Sequence, residues 1–225
     1  MPKRISKPPI RTELVRHSFK KSGTKTGLSA KGIAAARKSG RTIPLHYKVA
    51  GRHSGSSRAK STLELAMASF REKGGKTYKT TRPRKKIGLK SVFKNDEAIK
   101  IVDKWIEQQG EVNVLRKWID GKISTRLVFP ANQVADNIIK WELGFGSYLA
   151  REGVRGINVR YQSHSWIVDA VFERLTGKKF NLIAPGTVSR ENERIVLTHY
   201  KNGKTILSYR GKSFDVTKRF SEIAK

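Results

Sequence analysis

The sequence of 225 residues contains no cysteine. This absence excludes a disulfide scaffold, a thiol nucleophile and any zinc or iron–sulfur site with cysteine ligands. The chain also lacks an apolar run of about 18 residues, the length that a membrane-spanning helix needs. The basic segment Met1–Pro9 has no apolar stretch behind it, so it does not resemble a secretory signal. We therefore expect no membrane span and a cytoplasmic location.

Acidic residues are scarce, since 18 Asp and Glu stand against 48 Lys and Arg, which gives a formal net charge of +30. A surface this basic attracts polyanions such as nucleic acids, anionic lipids and phosphorylated metabolites. A lysine-rich proteome or a need for solubility would give the same composition. Charge alone therefore makes nucleic acid or another polyanion a candidate partner without selecting it.

Strand-like and helix-like segments alternate along the chain. Strands are predicted at Thr12–Val15, Tyr47–Ala50, Thr77–Lys86, Ile157–Gln162, Glu193–His199 and Thr205–Tyr209. Helices are predicted at Leu28–Gly40, Arg58–Lys73, Ala131–Glu152 and Trp166–Leu175. This alternation is typical of a parallel sheet with helices on both faces. We expect an α/β fold, a three-layer α/β/α sandwich with a mostly parallel central sheet.

The division into domains follows from composition and periodicity. Residues 1–11 are basic and contain Pro8 and Pro9, so they are expected to form a tail. Residues 12–225 are expected to form one domain. Apolar residues at helical spacing predict a helical insertion in it at about 94–130.

Three chemically distinctive segments lie where a predicted strand passes into a helix: His17, the loop 54–58 and His164. Ligands of parallel sheets bind at the carboxyl ends of the strands, so these segments are expected to meet at one edge. Arginine forks match phosphate oxygens, and a neutral imidazole is a nucleophile at phosphorus. The residues thus predict a phosphate site with a covalent step.

The same segments resemble the histidine phosphatase superfamily, to which phosphoglycerate mutases belong. The similar segments are 14–18 (LVRHS), 28–40 (LSAKGIAAARKSG), 56–62 (SSRAKST), 161–165 (YQSHS) and 185–188 (PGTV). They come in the family's order and cover most of the chain, apart from roughly residues 75–130.

The resemblance implies a phosphatase that hydrolyses a phosphomonoester through a phosphohistidine on His17. Arg16, Arg58 and His164 would bind the phosphoryl group and stabilise its charge, and Ser18 would lie against it. No metal and no cofactor are implied, and the partner is a phosphorylated substrate.

Two departures from the family pattern concern the chemistry. Ser18 replaces the usual glycine, and Ser165 stands where some members carry an aspartate. The family also needs an acid to protonate the leaving oxygen, yet residues 80–94 contain none. Asp96 and Glu97 are the nearest candidates by position.

Rival residues and a rival function remain beside this interpretation. His199 is a rival second histidine, although His164 is favoured because a helix follows it. Arg52-His53-Ser54 repeats the first tripeptide but lacks the family pattern after it. The alternative function is a weak or inactive member that acts as a basic nucleic-acid-binding protein, with the cluster 82–86 (RPRKK) facing the polyanion.

Overall fold

A computed structural model describes residues 8–18, 27–78, 82–183 and 189–225. The strands are β1 (Ile10–Arg16), β2 (Lys48–His53), β3 (Lys76–Thr77), β4 (Arg82–Pro83), β5 (Ile157–Ser163), β6 (Arg194–His199), β7 (Thr205–Tyr209) and β8 (Lys212–Asp215). The α-helices are α1 (Ala30–Arg41), α2 (Ser57–Glu72), α3 (Asp96–Gln109), α4 (Glu111–Ile119), α5 (Ala131–Ile138), α6 (Gly144–Arg151), α7 (Ser165–Thr176), α8 (Phe180–Ile183) and α9 (Thr217–Ala224).

The strands form one sheet in the order β3-β2-β5-β1-β6-β7-β8, and β4 also pairs with β2. Strands β2, β5 and β1 run parallel, whereas β6, β7 and β8 continue the sheet as an antiparallel meander. Within the described residues, β6 and β8 run opposite to the other strands. The expected α/β fold with a mostly parallel central sheet is confirmed.

Helices α1 and α2 cover one face of the sheet. Val49 of β2 packs there in a small apolar cluster with Leu63, Met67 and Phe70. Gly40 lies where the two helices meet, since a Cβ on it would come within 1.9 Å of the Ala66 carbonyl oxygen. The sequence predicts Gly40 as the end of a helix, but α1 continues to Arg41, so the close approach explains the glycine.

The larger core lies on the opposite face and joins the sheet to α5, α7 and the helices of the segment at about 94–130. Trp118 of α4 stacks on Trp166 of α7 with ring centroids 5.4 Å apart. Leu14 and Tyr161 supply the sheet side of this core. The apolar stripes of α3 and α4 therefore belong to the main core.

The strand expected at Thr77–Lys86 is wrong in its extent. β3 ends at Thr77, β4 is only Arg82–Pro83, and a 3₁₀ turn follows at Lys85–Ile87. Pro83 cannot donate to a strand ladder, which limits pairing in this region. The residues 79–81 lie outside the described part of the chain, as do residues 1–7 of the expected tail.

The helix expected at Ala131–Glu152 contains a π-helical turn at Ile139–Leu143, between α5 and α6. The Tyr161 hydroxyl donates to the Glu142 carbonyl oxygen at 2.7 Å, so a backbone acceptor of this turn is satisfied from β5. The sequence predicts a kink from Gly144 and Gly146. The irregular turn ends just before Gly144, while Gly146 allows α6 to approach Thr12 and His199.

The predicted strand Thr205–Tyr209 is β7, but the prediction that it is the last element of the fold is wrong, because β8 and α9 follow. β8 (KSFD) has no buried side chain, and Phe220 is the fully buried residue of α9. Both elements therefore carry a weak hydrophobic pattern. In the described part of the chain, no helix combines the length and apolar character that crossing a bilayer requires.

A group of charges is buried beneath the sheet on the α1 side, and we call it the Glu13 cluster: Glu13, Arg11, Arg160, Arg194 and Asn158. Arg160 is fully buried and donates to Glu13 at 2.9 Å, and Arg11 lies 2.8 Å from the same carboxylate. Burial raises the pKa of Glu13, but the arginines and Asn158 outweigh it and hold the pKa below its usual value. The carboxylate is thus the shared counterion of this cluster.

Candidate active site

Three neighbouring parallel strands end at the same edge of the sheet. The His17 N–H, just beyond β1, donates to the Ser163 carbonyl oxygen at 2.9 Å. The Ser54 N–H, just beyond β2, donates to the Gln162 carbonyl oxygen at 3.0 Å. His17, Ser54 and His164 are thereby brought together, as the strand-to-helix junctions predict.

The two histidines form the centre of the site. Their ring centroids lie 4.8 Å apart and their planes are nearly perpendicular. His17 Nδ1 donates to the Ser18 carbonyl oxygen at 3.1 Å, because a carbonyl can only accept. The lone pair therefore belongs to Nε2, which has no hydrogen-bond partner among the described residues.

The electrostatic surroundings keep His17 neutral. Burial, followed by the positive charges of Arg58 and Arg16, lowers the pKa of His17 to about 4. A neutral imidazole with a free Nε2 is a nucleophile that needs no separate base. The hydrogen bond at Nδ1 leaves Nε2 as the available atom, and the lowered pKa keeps the ring unprotonated.

His164 is the second histidine of the site. Its Nε2 lies 3.2 Å from Ser54 Oγ, and its pKa falls well below the usual value through burial and the charges of His17, Arg58 and Arg16. It occupies the N-cap of α7, where no side chain caps the first turn. A helix N-terminus favours an anion, so this end of α7 suits a phosphate.

Two arginines flank the histidines. Arg16 Nη1 donates to the Ser189 carbonyl oxygen, which orients its guanidinium. Arg58 is the second residue of α2, and burial together with the charge of Arg16 lowers its pKa. The two like charges repel each other, so an anion between them would be stabilised by both.

Ser18 is fully buried, and its polar atoms serve neighbouring elements. Its hydroxyl donates to the Gly32 carbonyl oxygen at 2.7 Å and accepts from Asn192 Nδ2 at 2.9 Å. Its N–H donates to Thr62 Oγ1 at 3.1 Å. Ser18 therefore ties the end of β1 to α1, α2 and the loop before β6.

The acids expected from the sequence lie elsewhere. Asp96 and Glu97 are exposed in the first turn of α3, and no contact within the described residues joins them to the histidines or arginines. Glu111, the first residue of α4, has an oxygen 4.0 Å from Arg16 Nη2. Ser165 Oγ donates to its other oxygen at 2.8 Å, which holds the carboxylate beside His164.

Glu191 also approaches Arg16, with 3.5 Å between its Oε1 and Nη2. Neither Glu111 nor Glu191 stands in a local motif. The one sequence signal for Glu111 is an acidic residue at a helix start, which is common. Sequence reasoning therefore missed both carboxylates.

The rival histidine His199 lies away from the site. It pairs with Ile10 at the opposite end of β1 and is enclosed by Thr12 and Thr205, with contacts of 3.0 and 3.2 Å. In the repeated tripeptide, Ser54 contacts His164, while His53 Nδ1 accepts from the Gly55 N–H. The structure thus brings His164, and not His199, to His17.

Solved structures of other proteins match this chain. No protein-family model and no curated protein sequence matches it. Phosphoglycerate mutase from Bacillus anthracis is 14% identical, with 97% of this chain and 98% of that chain covered and a TM-score of 0.55. The chain has a phosphoglycerate mutase-like fold.

Two further solved structures agree. Mycobacterial hydrolase 1 is 16% identical, with 91% of this chain and 99% of that chain covered and a TM-score of 0.57. A mycobacterial glucosyl-3-phosphoglycerate phosphatase in complex with VO3 is 15% identical, covers 88% and 97%, and has a TM-score of 0.53. The resemblance in the motifs is confirmed at the level of the fold.

The segment 185–188 (PGTV), one of those that resemble the histidine phosphatase superfamily, lies outside the described residues. Among the residues that the structure does describe, no group of three or more histidine, aspartate and glutamate side chains could hold a metal ion.

Proposed function

We propose that the protein is a phosphatase that hydrolyses a phosphomonoester through a phosphohistidine on His17. The observation that carries this proposal is the state of His17: a neutral ring whose Nδ1 is tied to the Ser18 carbonyl and whose Nε2 is free beside two arginines. A nucleophile, a cationic phosphate site and a nearby carboxylate are the parts that this chemistry needs.

In the first step, His17 Nε2 attacks phosphorus and the bond from phosphorus to the leaving oxygen breaks. Arg16, Arg58 and His164 hold the three remaining oxygens and stabilise the charge that develops on them. The leaving oxygen takes a proton from Glu111, which is the general acid in this scheme.

In the second step, water attacks the phosphorus of the phosphohistidine. Glu111, now ionised, accepts a proton from that water, and the bond from phosphorus to Nε2 breaks. Inorganic phosphate and neutral His17 are regenerated. The position of Glu111 supports this role, because the carboxylate lies 4.0 Å from Arg16 and is held beside His164 by Ser165.

The test is phosphate release from an aryl phosphate and an alkyl phosphate, without added metal. His17→Ala should abolish release, whereas His46→Ala, which removes an exposed histidine of a loop, should not. An acid-labile phosphoryl adduct should form on the wild-type chain and be absent from His17→Ala. Equal release by wild type and His17→Ala would refute the proposal.

The assignment of the acid is tested by Glu111→Gln. Loss of a general acid costs typically about 10²- to 10⁴-fold in rate, and the loss should be larger for the alkyl phosphate, whose leaving group is poorer. Asp96→Asn and Glu97→Gln are matched controls, since they remove the carboxylates that the sequence suggests. Loss of activity in either control with full activity in Glu111→Gln would assign the acid to α3 instead.

The alternative function, a catalytically inactive protein that binds nucleic acid through its basic surface, makes the opposite prediction for His17. Binding would fall steeply with salt and would not respond to His17→Ala. The same variant therefore separates the two candidates.

A further inference from the structure

Exposed aromatic side chains are concentrated in one part of the surface. Five aromatic side chains of the described residues are largely exposed, and four of them, Tyr78, Trp141, Phe145 and Tyr148, belong to this part. Trp141 is the most exposed of them, at 58%. Trp141, Phe145 and Tyr148 follow one another at spacings of four and three residues, which places them along one side of the helix.

Tyr78 and Phe145 border an open groove, and Trp141 and Tyr148 lie beside Phe145 on the same helical stretch; we call the groove together with these flanking rings the aromatic groove. Ala50, Arg52 and Val159 of the sheet form its floor, and Tyr78, Phe145 and Leu149 form its walls. Its volume is about 380 Å³. α6 packs on β1 and β6, where Gly146 meets Thr12 and His199, so the groove opens between this helix and the strands β5 and β2 toward the edge of the sheet.

Lysines lie over the exposed rings. Lys86 Nζ is 4.7 Å and Lys140 Nζ is 5.7 Å from the Trp141 ring centroid. Lys48 Nζ is 4.1 Å from the Tyr78 ring centroid. In the floor of the groove, Arg52 Nη1 is buried without a hydrogen-bond partner among the described residues. Two of the exposed rings, Tyr78 and Trp141, thus have lysine ammonium groups over them.

The surface is assembled from two distant regions of the chain. Residues 76–90 contain seven Lys and Arg and no acidic residue in the sequence, and of the described residues this segment contributes Lys86 and Tyr78. The rings Trp141, Phe145 and Tyr148 come from the π-helical turn and α6. The contact of Lys86 with Trp141 therefore arises only in the fold.

We infer that the aromatic groove binds single-stranded nucleic acid. Bases stack on exposed aromatic rings with little regard to sequence, while lysines and arginines along the groove neutralise the phosphates. The attraction of an exposed ammonium to a ring is weaker than base–aromatic stacking. Lys86 and Lys48 would accordingly leave the ring faces to the bases and pair with the backbone.

Charge decides between this occupant and a second copy of the chain. A partner with a net charge of +30 would bring like charges to a surface that already holds Lys48, Lys86, Lys140 and Arg52. A polyanion instead complements them. The inference does not depend on the phosphatase proposal, because none of these side chains belongs to the His17 site.

The experiment measures binding of a labelled oligouridylate of about 15 nucleotides to the full chain by fluorescence anisotropy, at salt concentrations of about 50 to 200 mM. The double variant Trp141→Ala with Lys86→Ala should weaken binding about ten-fold or more. The control is Tyr200→Ala with Lys201→Ala in the β6–β7 turn, which removes the same charge and one exposed aromatic ring. It should bind like the wild type.

Two further measurements distinguish a loss of base stacking from a loss of folding. Trp141→Phe keeps an aromatic face and should retain binding, while the quenching of tryptophan fluorescence by the oligonucleotide should be largely lost. Circular dichroism and thermal unfolding establish that each variant is folded. Binding by His17→Ala should equal that of wild type.

Several results would overturn the inference. They are no binding at the lowest salt, equal losses in the two double variants, or a duplex that binds as tightly as the single strand and is weakened equally by the groove substitutions. The same holds if the groove variant binds the oligonucleotide normally but loses self-association or binding to anionic lipid vesicles. The groove would then be a protein interface or a membrane surface.

Discussion

Two arginine clusters lie along strand β1, and they differ in how closely carboxylates balance the positive charge. In its middle, the Glu13 cluster surrounds one buried carboxylate with Arg160 at 2.9 Å and Arg11 at 2.8 Å. At its end, Arg16 and Arg58 flank two neutral histidines, and the carboxylates Glu111 and Glu191 stay 4.0 and 3.5 Å from Arg16.

The difference lies in where the counterion comes from. Glu13 is supplied by the chain and is fully buried, so that cluster holds its counterion as soon as the chain is folded. At the His17 site the paired carboxylates are partly exposed and loosely held, and the arginines repel each other. The first arrangement stabilises the fold, whereas the second leaves part of its stabilisation to an anionic ligand.

The largest expected effect is on stability. Glu13→Gln leaves Arg160 buried without its counterion, and removal of one partner from a buried pair costs about 3–5 kcal/mol. Urea unfolding measures the loss. Glu72→Gln, which removes the partner of Arg37 in an exposed pair, should cost less than about 1 kcal/mol. Similar losses in both variants would mean that the Glu13 cluster is no more than a surface pair.

A somewhat smaller effect is expected on catalysis. Arg58→Ala removes one group that stabilises the developing charge, so the rate of phosphate release should fall by about 10²- to 10³-fold with little change in stability. Arg71→Ala, in the last turn of the same helix and exposed, is the matched control. An Arg58→Ala variant that is as active as Arg71→Ala would break the contrast between the two clusters.

The smallest effect is a shift in titration. The pKa of His17 lies at about 4, below the usual 6.5. Between these values the unfolded chain binds a proton that the folded chain does not. The contribution of neutral His17 to stability is therefore full above pH 6.5 and is lost as pH falls toward 4.

Nuclear magnetic resonance of the histidine rings, with His17→Ala to assign the signal, measures this midpoint. Addition of vanadate or phosphate should raise it, because an anion favours the imidazolium. A midpoint near 6.5 in the free protein would show that neither burial nor the arginines disfavour the imidazolium at this site.

Much of the site was predictable because its residues are local to their strands. His17 and His164 each follow a strand and precede a helix. The parallel register of β1 and β5 then places the two histidines side by side. Glu111 was not predictable, since its place depends on how α4 packs and on a hydrogen bond from Ser165, 54 residues later. Asp96 and Glu97 were chosen by their position along the chain, which carries no such information.

The fold shows the same limit. β1, β5 and α7 follow strong apolar patterns and were predicted within a few residues. β8 and α9 were not predicted, because few of their side chains are buried and their hydrophobic pattern is therefore weak. The aromatic groove also depends on tertiary structure, since Lys86 meets Trp141 only after the chain has folded.

The π-helical turn at Ile139–Leu143 has a consequence for the register of α6. Such a turn is equivalent to one extra residue inserted into a regular helix. Each residue turns an α-helix by about 100°, so deletion of Lys140 would rotate α6 by that angle relative to α5. Gly146 would leave His199, and Phe145 would turn away from the groove that it shares with β2. The one extra residue of the π-helical turn therefore sets the rotation of α6 about its own axis. That rotation decides which side of α6 meets the sheet and which side meets solvent.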